Sequence, residues 1–364
     1  MPARIPDHTL DLLNRWQRGF PLVAAPFAAI ADAAGLSEAQ VLERYDEAVR
    51  MGALSRIGGV WAAGAGGAAL LCALAVPAER LLDVAATVDA LPGVNHNYER
   101  DHHHNLWFVI TGRDRQVLHR HLDGLQHDTG LSALRLPMVR VYRIDLGFDL
   151  HGVAGVKGVD LHGVAAVHGP ARPVAATPSV TPAVAPADAA LAALVEDGLR
   201  LEPLPFAHWA RQLGCTEAQV LTTLRSWLAS GSLRRFGVIV RHHELGYDQN
   251  AMTVFDVPDD EVDACGALLA GQPGVTLCYR RERAPGWPFN LYCMVHGRQA
   301  EAVRGVVATA RSASGLQRFP HAVLFSRRRF RQQGASYFRA ADRQVGPAHV
   351  SAGIAAPEAA HDRA

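Results

Sequence analysis

The sequence predicts an α+β protein built from two tandem copies of one unit, a winged helix-turn-helix followed by a ferredoxin-like βαββαβ sandwich. Three observations carry this. Pro26–Phe27, Gly35, Glu38-Ala39-Gln40-Val41-Leu42, Gly52, Arg56 and Gly58 return as Pro205–Phe206, Gly214, Glu217-Ala218-Gln219-Val220-Leu221, Gly231, Arg235 and Gly237, every pair 179 positions apart. The match continues with small insertions: Pro92-Gly93-Val94 pairs with Pro273-Gly274-Val275, Tyr98 with Tyr279, Arg100 with Arg281, and Asn105-Leu106 with Asn290-Leu291. Each copy then switches from helical to alternating periodicity at corresponding places. A chain so duplicated can fold as a pseudo-symmetric dimer on one polypeptide.

The elements follow in order. Thr9 to Gln17 reads as a first helix, with Thr9 as N-cap and Leu10, Leu13 and Trp16 as its apolar residues. Pro26 opens a second helix that runs to Ala34 and stops at Gly35. Ser37 caps a third, through Met51, and Gly52 ends it before a strand at Leu54–Trp61. The second copy offers Phe206–Leu213, Gly214, Thr216 as cap, a helix to Ser230, Gly231, and a strand at Leu233–Val240. Behind the first wing come a strand at Ala69–Val76, a helix at Ala78–Ala90 opened by Pro77, and strands at Val94–Tyr98 and Leu106–Thr111. A helix at Asp114–Thr129 and a strand at Ala133–Ile144 complete βαββαβ. The second copy repeats this from Ala251 to about Phe330. Boundaries are expected at 1–60, 61–150, 151–187, 188–240, 241–340 and 341–364. Of these, 151–187 is an Ala/Pro/Gly linker without aromatics and 341–364 a flexible tail.

The bulk composition, 49% apolar and 20% charged in 364 residues, is that of a globular protein with more than one core. The net charge of +1 hides an asymmetry: residues 1–150 hold 14 arginines against 17 carboxylates, residues 188–364 hold 20 against 17. The excess bunches at Arg280, Arg281, Arg283 and at Arg327, Arg328, Arg329, Arg331, a side chain whose planar fork suits carboxylates and phosphates. Five cysteines without CxxC spacing argue against a disulfide framework or a cysteine zinc site. The amphipathic N-terminus is no signal peptide, and Leu70–Val76 is too short to span a bilayer, so a cytoplasmic protein is expected.

The chemistry concentrates in Val94-Asn95-His96-Asn97-Tyr98-Glu99-Arg100-Asp101-His102-His103-His104-Asn105-Leu106-Trp107-Phe108. Alternation along a strand puts His96, Tyr98 and Arg100 on one face, a set that can bind an acid and move a proton. The alternatives are a solvated hairpin with incidental histidines and an adventitious metal site at the three adjacent histidines. In the second copy, Tyr279 and Arg281 are kept, Leu277 replaces His96, and Arg280, Arg283 and a Trp-Pro loop replace the histidines. Copy one thus offers proton donors and copy two anion clamps, a division suited to one joint site for a large polyanion.

A winged helix followed by a ferredoxin-like domain resembles the Lrp/AsnC regulators. DNA affinity, however, rests on cations against phosphates. The two candidate recognition helices carry Glu38, Glu43, Asp46 and Glu47 against Arg44 and Arg50, and Glu217 against Arg225. DNA is therefore not the expected partner, although Arg234-Arg235 at the second wing argues the other way, and a tetrapyrrole-sensing regulator is the alternative reading. The helices are expected to pair the two copies or to wall a pocket.

The strings FPLVAAPF, GALSRIGG, PGVNHNYERDHHHNLWF, PGVTLCYRRERAPGWPFNLYCMVHG and VLFSRRRFRQQGASYF are more specific. They resemble the siroheme decarboxylases, the first half the D-type subunit and the second the L-type, joined as in the fused form, over about residues 8–150 and 190–340. The resemblance implies non-oxidative loss of the carboxyl groups of the C12 and C18 acetates of siroheme, giving 12,18-didecarboxysiroheme on the way to heme d1. It implies no cofactor, the iron being the substrate's, and no membrane. It also implies self-association through the Lrp-like domains and possible pairing with GH-type subunits. On this reading His96 or His102 is the acid, Tyr98 a relay and Arg100 a clamp on the leaving carboxylate. Arg56, Arg235, Arg280, Arg281 and Arg283 would bind other carboxylates, with Tyr279, Asn105 and Asn290 beside them. Trp107 would flank the ring or fill the core, and each of the histidines is an alternative ligand for the iron.

Overall fold

A computed structural model describes residues 5–144, 148–150, 166–167, 181–241 and 243–338. Most of the expected linker and all of the expected tail from 341 onward lie outside the described residues. In the first copy, α1 (Asp7–Arg15), α2 (Pro26–Ala34) and α3 (Glu38–Arg50) precede β1 (Leu54–Trp61). Pro26 sits in the first turn of α2, and Gly35 ends it at φ 66°, a left-handed conformation that glycine adopts without Cβ strain. A reciprocal capping box joins Ser37 and Gln40 at the start of α3. α1 starts two residues earlier than expected. Pro6 occupies the cap position and Thr9 is fully buried inside the helix, so it does not cap.

The ferredoxin-like part of this copy comprises β2 (Ala68–Leu74), α4 (Leu81–Ala90), β3 (Val94–Arg100), β4 (Leu106–Gly112), α5 (Arg115–Thr129) and β5 (Ala133–Ile144). The helix expected from Ala78 opens as a 3₁₀ turn, Ala78–Arg80. After a small ladder of β6 (Phe148–Asp149) on β7 (Ala166–Val167), the second copy supplies α6 (Ala189–Asp197), α7 (Pro205–Leu213), α8 (Glu217–Ser230) and β8 (Leu233–Val240). β9 (Gln249–Phe255), α9 (Val262–Ala270), β10 (Val275–Arg281), β11 (Leu291–Gly297), α10 (Ala300–Ala313) and β12 (His321–Gln332) follow. Helix α6, the mate of α1, is absent from the expectation because its Ala-Leu-Val sequence continues the composition of the linker.

The two copies do not fold separately. β1 and β8 pair antiparallel about Gly58↔Gly237, with Ile57↔Val238 and Gly59↔Phe236. The central pair, 179 apart, is one residue and its own repeat, so a pseudo-two-fold axis passes through it. Both central glycines admit close backbone. A Cβ on Gly58 would stand 2.6 Å from the Val195 carbonyl, and one on Gly237 2.5 Å from that of Trp16. Around this ribbon the six wing helices share one core that includes Phe27, Tyr45, Phe206, Trp209, Trp227 and Phe236.

The eight remaining long strands close into one barrel, in the order β10-β11-β9-β12-β3-β4-β2-β5. The two twelve-residue strands do the joining. β5 lies on β2 through Pro137 and on β10 from Met138; β12 lies on β9 through Phe325 and on β3 from Ser326. Closure leaves the barrel itself without a free sheet edge among the described residues. Helices α4 and α5 cover one outer face and α9 and α10 the other. The lumen is filled by Trp107, Leu136, Met252, Tyr279, Trp287, Tyr292 and Leu324.

Candidate active site

Alternation on β3 turns His96, Tyr98 and Arg100 to a common side. The rings of His96 and Tyr98 stack at 6.3 Å and 24°, and the Arg100 guanidinium lies 5.7 Å from the Tyr98 centroid. Arg100 is 7% exposed and donates from Nη1 to Asn250 Oδ1 (3.2 Å) and to the Leu324 carbonyl (3.0 Å), both in the second copy. Ser326 also donates to Asn250 Oδ1, at 2.6 Å. The Nε of Arg100 has no hydrogen-bond partner among the described residues. Burial pushes this guanidinium down to about 10, opposed by Tyr98 and Tyr279, and pushes the Tyr98 phenol up to about 12.

The tautomer of His96 follows from its neighbours. Thr111 donates its hydroxyl to a carbonyl, that of Gly93 or Ser336, and therefore accepts from Asn95 Nδ2 (3.2 Å). Asn95 Oδ1 thus faces His96 Nδ1 at 2.6 Å, and that nitrogen must donate. The neutral ring keeps its lone pair on Nε2. Burial first, then Arg100 and His243, push His96 down to about 4. In the free protein it is a neutral imidazole at pH 7.

Two further histidines come from the second copy. His243, in the loop between β8 and β9, stacks on the other neighbour of this row, with its ring 6.2 Å and 28° from Tyr98. His296 on β11 is 5% exposed; His243, Arg100 and His96 lie close enough to add to the burial that drives it down to about 3. The Thr276 hydroxyl donates to the Met294 carbonyl (3.0 Å), so it accepts from His296 Nδ1 at 2.8 Å. The division into proton donors from copy one and clamps from copy two therefore needs correction: both copies bring histidines. The signal available for His296 was a lone histidine in the apolar strand LYCMVHG.

Arg281 repeats Arg100. It is 6% exposed, donates from Nη1 to the Leu136 carbonyl at 2.7 Å, and lies 4.8 Å from the Tyr279 ring. Leu277 stands where His96 stands in the other half, so this mirrored place keeps Tyr and Arg without the imidazole. Arg280 and Arg283 are not brought to it. Alternation sends Arg280 to the outer face, onto Asp259 (3.0 Å), and Arg283 pairs with Asp256 (2.9 Å) and Asp259 (2.8 Å).

His102 is also separated from the His96 row. It lies past the end of β3, edge-on to Trp287 at 5.3 Å, with His104 at 5.6 Å from the same indole. Trp107 is 2% exposed, packs on Trp287 at 5.1 Å, and donates Nε1 to the His104 carbonyl (2.6 Å). Its surroundings are core. Asn105 holds both backbone groups of Val76, at 2.9 and 2.8 Å, and Asn290 does the same for Val257, at 3.0 and 2.9 Å. These amides tie hairpins to the strand before each helix.

The wing arginines lie between ribbon and barrel. A Cβ on Gly334 would stand 2.6 Å from Arg56 Nη1, and Gly334 is two residues beyond Gln332, the β12 partner of His96. Arg56 therefore approaches the His96 end of the lumen. Arg235 donates from Nη1 to the carbonyls of Gln17 (2.6 Å) and Val238 (3.0 Å). Burial, then Arg18 and Arg56, push it down to about 10. No group of three His, Cys, Asp or Glu among the described residues is arranged to hold a metal ion. No helix among them is long and apolar enough to cross a membrane.

The family profile for the siroheme decarboxylase NirDL-like HTH domain matches residues 10–54 and 188–234, and that for the AsnC-like ligand binding domain matches 65–143 and 244–331. The siroheme decarboxylase NirDL subunit of Paracoccus denitrificans is 42% identical over 91% of this chain and 97% of its own. The siroheme decarboxylase of Hydrogenobacter thermophilus is 29% identical over 90% and 94%. A crystal structure of the siroheme decarboxylase NirDL in co-complex with an iron-uroporphyrin III analogue superposes with TM-score 0.63 at 25% identity, over 92% of this chain and 94% of that one.

Proposed function

The chain belongs to the NirDL-like siroheme decarboxylases, and from that membership we propose that it converts siroheme to 12,18-didecarboxysiroheme at the His96–Tyr98–Arg100 row. The observation that carries the site is the joining of this row to Asn250, His243 and His296 of the other copy.

An acetate on a pyrrole carbon loses CO₂ with difficulty, because the carbanion left behind is poorly stabilised. Protonation of the adjacent ring carbon makes the macrocycle an electron sink. The bond to the carboxyl carbon then breaks and its electron pair forms an exocyclic double bond to the methylene carbon, discharging the ring; a second proton converts that carbon to a methyl group, and the first proton leaves the ring carbon. One proton is consumed per CO₂ and no oxidation state changes, so the reaction requires no organic cofactor. The protein must supply an acid and hold the carboxylates.

His96 is the acid in this reading. It is neutral in the free protein, and a docked polyanion raises its affinity for a proton at Nε2, since nearby negative charge favours the imidazolium. Arg100 is oriented by Asn250 and Leu324 to clamp the leaving carboxylate, with Arg281 and Arg56 as supports for other carboxylates. Tyr98 connects acid and clamp.

The wings support an enzyme rather than a DNA reader. They pair with one another, and Arg235, one of the two adjacent wing arginines, is spent on the carbonyls of Gln17 and Val238. Anaerobic incubation of the purified chain with siroheme is expected to give a product lighter by two CO₂, and His96→Ala and Arg100→Ala are expected to slow its formation. An unchanged pigment, or unchanged turnover in both variants, overturns respectively the activity or the site.

A further inference from the structure

The row of rings does not stop at the acid. His96, Tyr98 and His243 form three successive near-parallel rings, spaced 6.3 and 6.2 Å. Their surroundings are graded. Arg100 and His296 are buried, whereas His243 is only half-buried, in a loop whose Glu244 and Asp248 are exposed. Each carboxyl group that leaves as CO₂ is replaced by one proton from the site, and two acetates per substrate require reloading from solvent. His96 is itself half-buried in the free protein, and a macrocycle docked over it removes its direct access to bulk water.

We propose that His243, contributed by the second copy, is the proton shuttle that reloads His96. The inference rests on the decarboxylase reading and adds a role to it. An imidazole is suited to the task because it accepts a proton on one ring nitrogen and releases one from the other, without a net change in charge. The groups that face it come from every element around it: Tyr98 and His96 from β3, Arg329 from β12, His296 from β11, and Glu244 and Asp248 from its own loop. Arg329 is paired with Glu244 Oε1 at 3.0 Å, which offsets part of its repulsion of an arriving proton. The transfer balances: a hydronium or buffer acid gives a proton to His243, His243 gives one to the row, and His96 Nε2 gives one to the substrate carbon as the carboxyl group leaves.

The test is His243→Phe, which keeps a flat ring against Tyr98 but carries no proton, with His243→Gln as a second variant. CO₂ release from siroheme is measured without oxygen at low and high concentrations of 2,6-dimethylpyridine, a base whose flanking methyl groups keep it off iron. In both variants kcat is expected to fall by roughly tenfold at low buffer with KM unchanged, a smaller loss than the about 10²–10⁴-fold worth of a positioned acid. It should recover as the buffer is raised, while the wild-type rate stays level. Wild-type turnover by either variant at low buffer, or a loss that no buffer relieves, overturns the shuttle and leaves the decarboxylase standing. If the wild-type chain releases no CO₂, the decarboxylase reading falls and the shuttle with it.

Discussion

At the scale of single residues, the site is a problem of proton affinity. His96, His243 and His296 are all driven below the usual histidine value by burial and by neighbouring cations, to about 4, 4 and 3. Their unfolded counterparts titrate near the ordinary value, so between the two values the unfolded chain binds more protons. Stability is therefore fully present above the unfolded value and is lost as pH falls through the folded ones. A thermal melt should move to lower temperature between neutral pH and pH 4, and His296→Gln should flatten that dependence. Catalysis has a different signature. Because kcat/KM reports the free enzyme and kcat the complex, a polyanion that raises His96 should place the fall of kcat at higher pH than that of kcat/KM. Coincident profiles would exclude His96 as the acid. Arg100→Ala also removes a buried donor from the Leu324 carbonyl, while Asn250 Oδ1 keeps Ser326, a cost of about 1–3 kcal/mol that denaturant unfolding would read beside the loss of rate.

At the scale of elements, two devices hold the wings to the barrel. The ribbon of β1 on β8 depends on Gly58 and Gly237, whose missing side chains let the ends of α6 and α1 lie against it. Gly58→Ala drives a methyl group into the Val195 carbonyl and should destabilise the protein by roughly 1–3 kcal/mol, the usual range for overpacking. A Gly58→Ala variant with an unchanged melt would show that α6 can retreat. The segment after β12 is the second device. Glu196, 1% exposed, accepts from the backbone N–H groups of Tyr337 (2.8 Å) and Phe338 (3.2 Å), and Phe338 packs on Trp61 at 5.2 Å. This draws Gly334 past Arg56, beside the His96 end of the lumen. Glu196→Ala should raise KM for siroheme more than it lowers kcat, because the loss is of a wall rather than of the acid; the opposite split would place Glu196 closer to the chemistry.

At the scale of the whole molecule, the two copies are parts of one barrel and one wing core. β5 needs β10, β12 needs β3, and Arg100 needs Asn250 and Leu324 from the other copy. Halves expressed as separate chains, divided within residues 151–180, should therefore co-purify one to one when made together and release CO₂ from siroheme. Neither should do so alone. Activity in an isolated half would refute a site assembled from both. The duplication also leaves the two halves of the lumen unequal: Tyr98–Arg100 and Tyr279–Arg281 occupy mirrored places, and only the first has a histidine, His96 against Leu277, on the same strand.

By itself, the sequence determined the repeat, nearly every helix and strand, and the row His96–Tyr98–Arg100, because each is a local property. Gly and Pro mark element ends, Ser37 and Thr216 announce capping boxes, and alternation assigns faces on a strand without reference to anything distant. Only the tertiary structure decided what faces that row. Two sandwiches became one barrel because the long strands β5 and β12 cross from one copy to the other, and strand pairing between distant segments leaves no periodic trace. The same crossing brought His243 to Tyr98 and His296 near His96 and Arg100, set Arg280 and Arg283 on outer ion pairs, and turned Trp107 into core. Helix α6 was hidden for a smaller reason: alanine-rich sequence is equally fit for a linker or a helix until a wing core is there to bury Leu191 and Val195.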